Sequence, residues 1–172
     1  MEQVRFNKLL LKTAFSCMAC DGDIDKREII LIKKIHQENK FFGEVDISQE
    51  LENLLFEINR DGQKFLKSYF DELALIELNE EDELKLIQVA IYTIKADEKV
   101  EYSEIKFFKV IRSLLDISNE SILAIHPDFG EYLEQDIVSD SYLSKLQNNF
   151  FDNQILLNLQ ASSLNDIIQD IN

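Results

Sequence analysis

Helix-breaking residues are scarce in this chain: four glycines and one proline among 172 residues, where average usage gives about 20 of the two together. A hairpin-rich β fold needs glycine or proline at most of its turns, so that class is excluded and long helices are favoured. Gly22, Gly43, Gly62, Pro127 and Gly130 are then the expected breaks. The length suits one domain with a core large enough to need no staples.

Apolar spacing places the helices. The first is expected over about 3–20, with Val4, Leu11, Ala14, Phe15 and Met18 on one face. The second runs over about 25–39 with Ile29, Ile32 and Ile35 inward. Asp46 and Gln49 have capping-box spacing, so a third starts near Ile47 and buries Leu51, Leu54, Leu55 and Ile58. After the Asp61-Gly62 turn, a fourth carries Phe65, Leu66, Tyr69, Phe70, Leu73 and Ile76. Asn79 caps a fifth that reaches Ala96. A sixth carries Ile105, Phe108, Ile111 and Leu115, and Ser118 caps a short helix that Pro127 stops. The fold class is therefore all-α. Residues 1–126 form the helical domain, and 127–172 form an acidic extension, with helices near 141–151 and 161–171 docked on the bundle. That extension holds eight acids and a single lysine.

Charge excludes further classes. With 18 basic and 33 acidic residues the net charge is −15. Nucleic-acid phosphates and anionic membrane surfaces repel such a chain. Cations and basic protein partners stay open. No apolar run approaches the ~18 residues of a membrane span, so a cytoplasmic protein without membrane insertion is expected. Arg5 and Lys8 ahead of Leu9–Cys20 loosely mimic a secretory leader ending in a lipid-modified cysteine, but Lys12 interrupts the stretch.

Two helix–loop–helix units match at an offset of 76 residues. Ala14, Met18, Asp21, Ile24, Asp25, Glu28, Ile29, Ile32 and Ile35 align with Ala90, Ile94, Asp97, Val100, Glu101, Glu104, Ile105, Phe108 and Ile111. Shared apolar spacing is common to amphipathic helices; the acids matched in the connecting loops are the stronger signal. Each pair of helices leaves an apolar face that the other pair covers, with the third and fourth helices as the crossover. The stretch Ala19-Cys20-Asp21-Gly22-Asp23-Ile24 through Glu28, with its weaker echo Ala96-Asp97-Glu98-Lys99-Val100 through Glu104, resembles the TerB-like fold. That family includes tellurite-resistance TerB and the N-terminal region of some membrane-anchored DnaJ proteins. The resemblance covers about 5–118. It implies an all-helical, non-enzymatic module associated with tellurite resistance or envelope stress. It also implies metal binding through Asp21, Glu28, Asp97 and Glu104.

The loops themselves invite a hard cation. Asp21, Asp23, Asp25 and Glu28 set four carboxylates within eight residues, and Asp97, Glu101 and Glu104 answer them in the second unit. Ca²⁺ takes 6–8 oxygens, more than one loop supplies, so a Ca²⁺, Mg²⁺ or Mn²⁺ site needs both loops. An EF-hand is excluded, because Lys26 stands where its glycine belongs and Ile32 where its glutamate belongs. The competing explanation is purely structural: Asp25 and Glu28 have capping-box spacing, and acids stabilise helix N-termini. A carboxylate-metal hydrolase is a further alternative, weakened by the lack of a histidine near either loop.

The Cys17-Met18-Ala19-Cys20 pair falls in the last turn of a helix, beside acids. That is the reverse of the helix N-terminus that activates a redox thiol, so both cysteines are expected to pack as small apolar residues. His36 and His126 have no partners that would form a catalytic triad. The expected function is a cation-binding, protein-interaction scaffold.

Overall fold

The computed structural model describes residues 3–22, 24, 26–96 and 100–133. Every element among them is helical: α1 (Gln3–Ala19), α2 (Lys26–Asn39), α3 (Ile47–Asp61), α4 (Gln63–Leu75), α5 (Glu80–Ala96), α6 (Tyr102–Ser113), α7 (Asn119–Ile125), a 3₁₀ turn (Pro127–Phe129) and α8 (Gly130–Leu133). The all-α class and the first seven helices agree with the sequence periodicity. The helices expected near 141–151 and 161–171 lie outside the described residues.

The caps set the boundaries. The Asp46 side chain accepts from the backbone N–H of Gln49 at 3.0 Å and starts α3. Ser118 Oγ does the same for Ser121 at the head of α7, and Asn79 Oδ1 accepts from Asp82 N ahead of α5. Gly43 takes a φ of +55°, and a Cβ there would overlap the Asn7 amide; only glycine fits that close turn.

Of the last two expected breaks, one holds and one is corrected. Pro127 ends α7 but does not end helical structure. It occupies the first turn of the 3₁₀ helix, where its missing N–H costs nothing. Gly130 has ordinary helical angles and opens α8 instead of interrupting the chain.

The centre of the molecule is α1 against α5, the most extensive helix contact in the fold. α1 also packs on α2, α3, α4 and α6, and α5 on α2, α6 and α7. A helix touched from so many directions has no solvent stripe over most of its length. Accordingly Leu9, Leu10, Leu11, Ala14, Phe15, Cys17 and Met18 are all buried. Val4, expected on the inner face, is instead 60% exposed at the N-terminal end of the helix.

Thr13 and Tyr69, polar groups carried into this core, satisfy one another, whereas the buried Ser16 Oγ has no hydrogen-bond partner among the described residues. Thr13 Oγ1 donates to the Leu9 carbonyl at 2.9 Å and accepts from the Tyr69 hydroxyl at 3.0 Å. Tyr69 then meets Phe107 and Phe70, which lie 4.7 Å from each other. Beyond α7, Phe129 is fully buried and meets Phe108 edge-on at 4.9 Å, so 127–133 pack as part of the bundle. No helix among the described residues is long and apolar enough to cross a membrane.

Candidate functional site

The C-terminal end of α1 and the N-terminal end of α6 meet. The Ser103 side chain hydrogen-bonds the Cys20 thiol, and both Asp21 and Glu104 act on that thiol electrostatically. Because α6 follows the second acidic loop, this contact sets the turn after α1 beside the start of α6.

Each expected ligand has a definite position or lies outside the described residues. Asp21 is exposed in the turn that follows α1. There the Gly22 N–H donates to the Ala19 carbonyl at 3.1 Å. Ile24 is buried and anchors the loop in the core. Glu28 sits half-buried in the first turn of α2. Glu101 is the N-cap of α6, and Glu104 is its third residue. The two form a capping box in which Glu104 Oε2 accepts from the Glu101 backbone N–H at 2.7 Å. Asp23, Asp25 and Asp97 lie outside the described residues. Among the described residues, no three His, Cys, Asp or Glu side chains are grouped to hold a metal ion.

The cysteines behave as apolar packing requires. Cys17 and Cys20 are free and buried. Burial, reinforced by Glu104, pushes the Cys17 thiol far up. Burial, with Cys17, Glu104 and Asp21 behind it, raises Cys20 as well. A thiol held protonated in this way is a poor nucleophile.

Sequence reasoning singled out acids and missed the groups that join the units, Cys20 and Ser103. Ser103 aligns with Arg27 in the 76-residue register, so the repeat carries no signal for it. The opposite end of α5 is equally organised. The buried Glu83 accepts from the Asp116 backbone N–H at 3.0 Å and faces Arg112. Arg112 in turn donates to Asn119 Oδ1 and the Leu115 carbonyl.

Comparison with protein-family models, with curated proteins and with solved structures returns no match for this chain.

Proposed function

We propose that this chain is a non-enzymatic, TerB-like interaction module whose working surface is the end where its two acidic loops meet. There a divalent cation of the Ca²⁺, Mg²⁺ or Mn²⁺ class sets the surface that a protein partner recognises. The observation that carries this reading is the Cys20–Ser103 hydrogen bond, with Asp21 and Glu104 both within electrostatic reach of the thiol. One loop has too few oxygens for a hard cation, and the contact supplies the second loop. The packing partners agree with a doubled unit: α1 touches α2 and α6, and α5 touches α6 and α2, the exchange that two related helix pairs would make. The link to tellurite or envelope stress rests on the resemblance of the loop motif alone.

A second reading has its own support. The capping box at Glu101 and Glu104 gives two of the seven acids a structural task that needs no metal. In that reading the module is a metal-free scaffold whose acids serve helix ends and repel anionic partners.

Calorimetric titration of the metal-stripped chain with Ca²⁺, Mg²⁺ and Mn²⁺ separates the two. Saturable binding that Asp21→Asn with Asp97→Asn abolishes supports the cation. No heat up to millimolar metal removes the cation and leaves the scaffold. The interaction surface is tested separately, with a photo-crosslinker placed at Tyr102, 73% exposed beside the junction, and a control at Leu75, 85% exposed ahead of α5. Adducts from both positions alike would sink the assignment of the working end.

A further inference from the structure

Both histidines of this chain stand on a run of aromatic contacts that crosses the molecule. His36, in the last turn of α2, stacks on Phe42 with centroids 5.5 Å apart and planes 11° apart. The adjacent Phe41 meets Tyr92 of α5 at 5.4 Å. Tyr92 then receives His126 edge-on, at 5.7 Å and 84°. The run links α2, the α2–α3 loop, α5 and the junction between α7 and the 3₁₀ turn.

The two rings are poorly equipped to carry charge. His126 is 8% exposed, and its Nε2 is buried without a hydrogen-bond partner. Nδ1 of His36 is in the same position. Lys95 from α5 and Asp128 from the 3₁₀ turn face His126, but those two already pair with each other. Lys40 and Glu44 face His36.

We propose that this aromatic run is an acid-operated latch: protonation of His126, assisted by His36, releases residues 119–133 from α5 and uncovers the Phe108–Phe129 contact.

At His126 the added proton puts a charge on a ring whose buried nitrogen has no acceptor, next to the Lys95 ammonium. Desolvation and repulsion both oppose it. Asp128 opposes them less, since Lys95 shares it. At His36 the imidazolium would lie over the Phe42 face, a favourable cation–π contact, so that end is the weaker of the two. Burial first, and the neighbouring lysine second, hold both rings below the ordinary histidine value.

The folded chain keeps both rings neutral while the unfolded chain takes up protons below about pH 6.5. Stability is therefore complete above that pH and is lost as pH falls through the depressed folded values. Each histidine lowers the folding constant by at most about tenfold per pH unit. Ordinary carboxylates titrate below this window.

The test is denaturant unfolding of the full chain from about pH 7.5 to 5.5, a range that brackets the ordinary histidine value, for the native sequence, His126→Phe, His36→Phe and the double variant. The native folding constant is expected to fall below about pH 6.5. His126→Phe should remove the larger share of that fall and the double variant nearly all of it. A double variant with the native slope overturns the proposal.

If a phenylalanine variant fails to fold, ring-nitrogen NMR of the unaltered chain decides the same question. Both histidines should titrate below about 6.5, His126 the lower; His126 at or above that value overturns the latch. Hydrogen exchange, corrected for the intrinsic pH effect, should rise at 119–133 across the same acid range while α1 stays protected. A uniform change along the chain overturns the latch in favour of general acid destabilisation.

Discussion

Carboxylates gather at both ends of α5, and the two gatherings are built on opposite principles. At its N-terminal end, Glu80 to Glu83 fill the first turn, where the helix dipole favours negative charge. Asp82 pairs with Asn79, Glu80 accepts from the Ser121 hydroxyl, and the buried Glu83 holds the Asp116 N–H opposite Arg112. At the other end, where α1 meets α6, Asp21 stands just beyond the C-terminus of α1, the end where the dipole disfavours it. Glu104 there is engaged with the α6 cap. The number of acids is therefore a poor guide to their role. Position relative to a helix end separates an acid that the dipole favours from one that it disfavours.

That contrast breaks most sharply at Glu83. Glu83→Ala removes the acceptor of the part-buried Asp116 N–H and the carboxylate facing a half-buried guanidinium, and should cost about 1–2 kcal/mol whether or not metal is present. Urea unfolding measures it; a loss below about 0.5 kcal/mol, the size of an ordinary surface change, would mean that the two ends do not differ.

Glu104→Ala should cost about 1 kcal/mol, the size of a lost cap. Under the metal-free reading that loss is the same in chelator and in Ca²⁺. Under the cation reading it grows with added metal, by about 1.4 kcal/mol when the ion is tenfold above its dissociation constant. Smallest is Asp21→Asn. In metal-free buffer it should change stability by less than about 0.5 kcal/mol, or raise it slightly, because it removes a charge from the unfavourable end of α1. A loss as large as that of Glu104→Ala would show that Asp21 is a structural residue, and would bring the two ends back to one principle.

Much of the fold is legible in the chain itself. Asp46 and Ser118 announce α3 and α7 to the residue, because a cap is a local event between a side chain and an N–H three positions on. Pro127 is legible for the same local reason. A proline stops the helix before it, yet it is equally at home in the first turn of the next one. The burial of α1 is only half visible. Periodicity detects one apolar stripe, whereas α1 is covered by five neighbours and buries Thr13 and Ser16 along with its leucines.

At the candidate site, the burial of Cys17 and Cys20 is readable. A capping box is present at Glu101 and Glu104, a pair with the same spacing as Asp25 and Glu28, of which Asp25 lies outside the described residues. Spacing alone does not rank two equal candidates. The Cys20–Ser103 contact joins residues 83 positions apart, and nothing in local patterning records such a neighbour.

The central pairing of α1 with α5 has a consequence for how the molecule comes into being. α1 is made well before its main partner, which follows more than 60 residues later in the chain. Until α5 emerges, α2, α3 and α4 cover only part of α1, and its buried leucines have no lasting shelter. Contacts of such sequence separation make folding slow, since the chain must close a long loop before the contact is rewarded. A truncation ending before residue 80 should accordingly be prone to aggregate during synthesis, and the full chain should gain its cooperative stability only once residue 96 is free.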